Sequence, residues 1–488
     1  MCNVVISFLL TLTLFGCAAG PNYQRPSVET PPSWRFEEKE AREVANTAWW
    51  EQFDDAILNE LIQTALAENK DLKIAAARVD EFMGRHVTTR ASLFPQVGAG
   101  ASAERSRSTE KGPAPFSSAI ENPADAYQVF LNASWEIDLW GKLRRVTEAA
   151  RADLLSTEES RRAVILTLVT SVASAYVNLR NLDNQLEIAK RTANSREESY
   201  NLFKLRFQVG VISETELYQA KSEYEKARAT IPFLEKTIAQ QEHALSVILG
   251  RNPGAIPRGK TIDEFVLPAV PAGLPSDLLA NRPDIRQAEQ DLIAANARIG
   301  VAKSLYFPSI SLTGLFGSAS TDLSDLFSGP AKVWSFAAPL TAPIFTGGAI
   351  RGQVRSAEAV QQQALLRYQQ SIQASFREVE DALVDQKKSR ERFEVQSQLL
   401  ESLRNYVRLA RFRFDNGYTS YIEVLDAERS LFTAELLQAE TKGVLFQALV
   451  NLYKAMGGGW VLEADHLADK TTYSKISSHS SEVLHANQ

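Results

Sequence analysis

Apolar residues recur along most of this 488-residue chain at alternating steps of three and four. One series runs Val172, Ala175, Leu179, Leu182, Leu186, Ala189, Ala193, Tyr200, Phe203 and Phe207, and only Arg196 interrupts it. Its return partner runs Leu217, Ala220, Tyr224, Ala227, Ile231, Leu234, Ile238, Leu245 and Ile248, with Pro232 expected to kink the helix. So narrow a stripe predicts long helices packed in pairs, with much surface left for water or further partners. An unbroken helix from Lys142 to Gln208 has 67 residues and extends about 100 Å.

Between helices the period drops to two. Val97, Ala99, Ala101 and Ala103 alternate with Gln96, Gly98, Gly100 and Ser102. Tyr127, Val129, Leu131, Ala133, Trp135 and Ile137 alternate with Gln128, Phe130, Asn132, Ser134 and Glu136. A second pair is expected at Ile310 to Phe316 and near Trp334 to Phe345, with polar loops from Glu104 to Asp125 and from Gly317 to Ala331. Roughly ten-residue alternation with terminal aromatics fits membrane strands, and it also fits a soluble half-buried hairpin.

These elements occur twice. Ser92-Leu93-Phe94-Pro95 returns as Leu305-Tyr306-Phe307-Pro308, and Arg206-Phe207-Gln208-Val209-Gly210 as Arg413-Phe414-Asp415-Asn416-Gly417, both about 210 positions later. Each copy reads helix, Phe-Pro, strand, polar loop, strand, very long helix, glycine turn, long return helix. The expected organisation is an export signal at 1–16, a linker and equatorial segment at 17–70 and a first repeat at 71–250. A second linker at 251–282, a second repeat at 283–457 and a polar C-terminal tail at 458–488, its end poorly ordered, complete the chain. Four strands cannot close a barrel, and an open sheet edge cannot face lipid. Either the sheet is soluble or several chains pool strands; three chains supply twelve.

Composition removes other classes. The chain is 44% hydrophobic and 23% charged with a formal charge of -6, which speaks against nucleic-acid binding. Two cysteines make no disulfide scaffold. His86, His243, His466, His479 and His485 show no metal-ligand spacing, no GxSxG is present, and the run of glycines at 457–459 follows a helix instead of opening one. No enzyme, cofactor or metal is expected. Beyond the extreme N-terminus no apolar run is long enough to be expected to span a membrane as a helix.

Val4 to Phe15 is the apolar part of a secretory signal, and Leu14-Phe15-Gly16-Cys17 resembles the lipobox of bacterial lipoproteins. That resemblance implies cleavage before Cys17 and its acylation. Ala18 stands where an aspartate would retain a lipoprotein at the inner membrane.

Several phrases extend the resemblance to nearly the whole chain. They are Gly20-Pro21-Asn22-Tyr23, Trp49-Trp50 before Phe53-Asp54-Asp55, Ser134-Trp135-Glu136-Ile137-Asp138-Leu139-Trp140-Gly141, Arg282-Pro283-Asp284-Ile285-Arg286 and Glu423-Val424-Leu425-Asp426-Ala427. With these the chain resembles the TolC-like outer-membrane factors, in their efflux lipoprotein (NodT) branch. The resemblance implies an α+β chain that forms a homotrimer, with an outer-membrane β-barrel of four strands per chain continuous with a coiled-coil α-helical barrel in the periplasm. It also implies a passive exit duct for drugs or other small molecules, driven by an inner-membrane pump of RND type through a periplasmic adaptor.

Two sets of residues carry that function. The turns Val209-Gly210-Val211-Ile212-Ser213 and Asn416-Gly417-Tyr418-Thr419-Ser420 suit tight hairpin ends, with hydroxyls able to cap the next helix. Val211, Ile212 and Tyr418 are apolar side chains at a wet tip, where the family docks its adaptor. Glu423, Asp426 and Arg429 follow at spacings of three, which by itself describes a solvated helix face. The resemblance implies instead that Asp426, with Arg429 and Ile422, constricts the periplasmic end of the tunnel, Glu423 being a weaker member. A duct for type I protein secretion and a secreted coiled-coil fibre are the alternatives; the fibre predicts neither amphipathic strands nor a duplicated Phe-Pro break.

Overall fold

The computed structural model describes residues 18–28, 31, 34, 48–109, 111, 121–267, 281–457, 460–462 and 464–468. The export segment and Cys17 lie outside them. The first half of the chain contributes α1 (Ala56–Glu68), α2 (Lys70–Ala91), β1 (Gln96–Ser106), β2 (Ala124–Ile137), α3 (Lys142–Gln208) and α4 (Glu214–Ile248). The second contributes α5 (Pro283–Ser304), β3 (Ser309–Ser320), β4 (Lys332–Ala337), β5 (Leu340–Thr341), α6 (Ala349–Asp415) and α7 (Tyr421–Met456). Both α3 and α6 have 67 residues. The helix α4 continues through Pro232.

Two compact units emerge, and each draws on both halves of the chain. The first holds residues up to Ser27, Val79–Thr157 and Ala288–Tyr368. It contains an antiparallel sheet ordered β1-β2-β3-β4, with β5 also on β3. The expected fourth strand is interrupted after Ala337, where Pro339 has no amide hydrogen to give to a ladder. The strands also reach further than expected, to Ser106 and Ser320, which shortens both polar loops.

The second unit holds Val28–Arg78, Glu158–Gln287 and the chain from Gln369 onward. Its core is aromatic: Trp49 stacks on Tyr453 at 4.7 Å and meets Trp460 edge-on at 6.1 Å, with Phe53, Phe265 and Phe446 beside them. One apolar stretch of α3 passes for a membrane span by length and hydropathy, but 56% of it is buried in the protein. That part of α3 is a core helix, and Ile165, Val169, Val172 and Val177 belong to the same core. The C-terminal segment is ordered further than its polarity suggested. Ala464 and Ala468, four residues apart on one face, are buried, and Asp465 pairs with Arg161 at 2.8 Å.

A buried carboxylate organises this unit. Asp55 Oδ1 accepts the amides of Ile57 and Leu58 at the start of α1, at 2.8 and 3.2 Å. Its Oδ2 accepts the Tyr176 hydroxyl and the Lys260 amide, both at 3.0 Å. Burial pushes the Tyr176 hydroxyl well above its ordinary pKa, so it remains a donor. One side chain thus caps α1, holds α3 and fastens the segment at 259–260.

Candidate functional site

The sheet has two unlike faces. In an antiparallel ladder, directly opposed residues share a face. The register opposes Ala99 to Leu131, Leu131 to Phe316 and Phe316 to Trp334. The next row is Val97, Ala133, Gly314 and Phe336. On the other face stand Gln96, Ser134 and Thr313, then Gly98, Asn132, Leu315 and Ser335. The apolar face is uncovered: Phe316, Trp334 and Phe336 are 60%, 69% and 78% exposed. Among the described residues both outer strands, β1 and β4, pair on one side only. An uncovered apolar face, a more polar one behind it that also carries Phe130, Leu315 and Val333, and two open edges suit a wall between lipid and an aqueous lumen, completed by other strands.

The register also fixes where the helices attach. Gln96, Ile137, Ser309 and Thr341 lie at one end of the sheet, so α2 and α5 end there and α3 and α6 begin there. Trp140 stacks on Phe307 at 4.7 Å and donates its indole N–H to the Pro308 carbonyl at 2.7 Å. The strap of residues 18–25, immediately after Cys17, is pinned at this end. Ala19 donates its amide to the Trp140 carbonyl at 2.8 Å, and Arg145 reaches Asn22 Oδ1 at 2.7 Å. Further along, Tyr23 donates to Glu289 and Arg25 pairs with it, both at 3.0 Å. Nothing larger than glycine fits at the crossing, because a Cβ on Gly300 would lie 2.6 Å from the Ala19 carbonyl oxygen. Gly300→Val is expected to lift the strap and expose Tyr23 to chymotrypsin. Cleavage after Tyr23 in the variant but not in the wild-type protein checks this.

Both hairpin turns close in the same way. Gly210 and Gly417 each take φ of 76°, and the amides of Val211 and Tyr418 reach back to the carbonyls of Arg206 and Arg413, each at 2.9 Å. These are Schellman ends that favour glycine. Ser213 caps α4 in a capping box with Glu216, whereas Ser420 makes no side-chain cap on α7. There Thr419 bonds the Glu423 carboxylate, which also takes Arg413 at 2.9 Å, so the turn is tied across its base. Val209, Val211 and Tyr418 are exposed, and Asn416, Thr419 and Ser420 lie beside Gly417 on the same turn. Ile212 differs from expectation. It is half-buried, because it packs on a small core formed by Phe203, Val407, Tyr421 and Val424 where the four long helices meet.

Ile422, Glu423, Asp426 and Arg429 line one groove of about 1020 Å³, whose opposite wall is α4 with Tyr218 and Glu223. Arg429 donates to Asp426 within the helix, and both side chains remain half exposed. Burial pushes the Tyr421 hydroxyl up to about 12, and its ring lies 4.0 Å from that of Phe203. The groove therefore stands over a packed aromatic layer.

Arg196, visible in the sequence only as a break in an apolar series, is buried between helices. It donates to the Glu223 carbonyl at 2.8 Å and to the Glu428 carbonyl at 3.4 Å, pairs with the Glu223 carboxylate at 3.1 Å, and lies over the Phe432 ring. It thereby joins α3, α4 and α7. Nearby, Glu435 takes Arg191 at 3.1 Å and Arg404 at 3.5 Å, linking α3, α6 and α7. Its signal was its own anomaly, a charge at a seam position, but the partners are distant in sequence.

A sheet of this kind, together with long paired helices closed by exposed turns, suits a membrane channel subunit. Comparison with known proteins agrees, and the chain belongs to the outer membrane efflux protein family, whose model matches residues 61–251 and 274–458. The toluene efflux pump outer membrane protein TtgF of Pseudomonas putida is 36% identical over 468 residues, 93% of this chain and 96% of that one. The cation efflux system protein CusC of Escherichia coli is 36% identical over 465 residues, 93% of this chain and 98% of that one. Among solved structures, the Campylobacter jejuni CmeC outer membrane channel superimposes with a TM-score of 0.88 at 27% identity, covering 93% of this chain and 99% of that one. The chain is an outer-membrane channel component of an efflux system.

Proposed function

We propose that three copies close a twelve-stranded barrel and act as a passive exit duct for small molecules, without catalytic chemistry of their own. The observation that carries this reading is the sheet with one bare apolar face and two unpaired edges, which a single chain cannot place in lipid. Cys17 is the acylation site: the strap that follows it is fixed beside Trp140, where an acyl chain enters the membrane level with the aromatic pair. The turns around Gly210 and Gly417 dock a periplasmic adaptor, which couples the duct to an inner-membrane pump of RND type. Ile422, Asp426 and Arg429 form the periplasmic constriction, with Glu423 bracing the turn behind them.

Complementation of a deletion strain tests the duct and its tips together. Wild-type protein is expected to lower accumulation of a fluorescent drug. Val211→Glu with Tyr418→Glu is expected to abolish that effect at unchanged outer-membrane abundance, because neither side chain is needed for folding. Efflux that survives the double variant removes the tips from the docking surface. A wild-type gene that never lowers accumulation contradicts the duct.

A further inference from the structure

The four connections between sheet and helices form a band of unusual charge. Segments 82–95, 136–151, 298–309 and 340–358 carry ten Lys and Arg against four Asp and Glu, in a chain that has more acids than bases overall. The register brings all four to one end of the sheet. Each also presents an exposed aromatic ring: Phe94, Trp140, Phe307 and Phe345. Rings of this kind sit at the headgroup level of a bilayer.

Six of the ten bases are already paired. Arg85 meets Glu81, Lys142 meets Glu136, Arg144 meets Asp138, Arg145 meets Glu148, Arg298 meets Asp153 and Lys303 meets Glu358. Arg90, Arg151, Arg351 and Arg355 are exposed and have no carboxylate partner among the described residues. Three of these stand in the turns of their helices nearest the sheet, Arg90 in the last turn of α2 and Arg351 and Arg355 in the first two turns of α6. Neither α3 nor α6 has an acidic residue in its first turn, where the helix dipole favours one. Three free guanidiniums beside an aromatic belt are an arrangement for phosphate groups held in a plane.

We propose that Arg90, Arg351 and Arg355 form a collar that binds the headgroups of anionic phospholipids in the inner leaflet of the outer membrane. Each guanidinium donates to the phosphodiester oxygens while its alkyl stem lies along the belt. The glycerophosphate headgroup is the class that fits, since its charge is not cancelled by an amine. This inference rests on the membrane placement of the sheet and adds a ligand to it.

Full-length protein reconstituted in phosphatidylcholine vesicles, with trace spin-labelled phosphatidylglycerol or spin-labelled phosphatidylcholine, gives the test. The immobilised fraction of each label measures its association with the protein. Wild type is expected to hold phosphatidylglycerol about fivefold more tightly than phosphatidylcholine, falling as salt is raised. R90Q/R351Q/R355Q is expected to bring the two lipids to parity and leave phosphatidylcholine association unchanged, and R90K/R351K/R355K to keep most of the preference. Three results overturn the collar: no preference in the wild type, an unchanged preference in the Gln variant, or loss of the preference to millimolar inorganic phosphate, which marks a site for the free ion. A protein that immobilises neither lipid contradicts the membrane placement itself.

Discussion

Asp426→Ala with Arg429→Ala is expected to raise the conductance of the isolated channel in planar bilayers. The two side chains pair within one turn of α7 and line the groove near the second hairpin turn. With half of each exposed, one such pair is worth about 0.5 kcal/mol. Because the pair lies within one helix it persists whether the channel is open or closed, so its own energy does not bias closure; in the proposed trimer the three pairs act by narrowing the aperture. The double variant also clears six long side chains from the aperture. Arg429→Ala alone leaves three uncompensated carboxylates that repel one another, so it too should open the channel, though less. Arg408→Ala, on α6 and outside the groove, serves as the control and should leave conductance unchanged. Wild-type conductance in the double variant would falsify the assignment of the constriction to this groove.

Asp55→Ala is expected to cost about 3–4 kcal/mol, the largest loss for a single exchange outside the apolar core. It removes the cap of α1, worth about 1–2 kcal/mol. It also strands the Tyr176 hydroxyl and the Lys260 amide in a buried site, at about 1–3 kcal/mol together. Asp55→Asn keeps one acceptor oxygen and should lose roughly half as much. Tyr176→Phe should cost about 1 kcal/mol, since its hydroxyl also accepts the Gly259 amide at 2.8 Å. Thermal unfolding followed by tryptophan emission reads the order directly, because Trp49, Trp50 and Trp460 belong to the core of the same unit. If Ala and Asn lose equally, the polar node does not act through its hydrogen bonds.

The long helices were legible because their seams are periodic. The stripe through Val172, Leu179 and Phe203 shows a long helix without any tertiary information, and α3 runs unbroken from Lys142 to Gln208. The strands were legible for the same reason, since alternation at Val97–Ala103 and Tyr127–Ile137 is local. Where a residue is fixed by something distant, the pattern is silent. The Asp55 node joins positions more than a hundred residues apart, and in sequence Asp55 stands only as the end of the Phe53-Asp54-Asp55 phrase. Arg196 shows as a defect in a stripe until Glu223 and Glu428 are beside it. The burial of Ala464 and Ala468 is likewise set by neighbours, and Ile212 reads as wet because the small core beneath it is assembled from four helices. In the second hairpin, the hydroxyl of Thr419, not that of Ser420, does the bonding, a choice local spacing does not reveal.

Everything functional here requires that one chain be a fraction of the working wall. Light scattering on the detergent-solubilised protein, coupled to gel filtration, measures this directly as polypeptide mass per particle. Three chains of about 54.1 kDa before processing are expected in each particle. A monodisperse single chain, with its sheet still folded, would mean that the edges of β1 and β4 need no partner and that no barrel is formed.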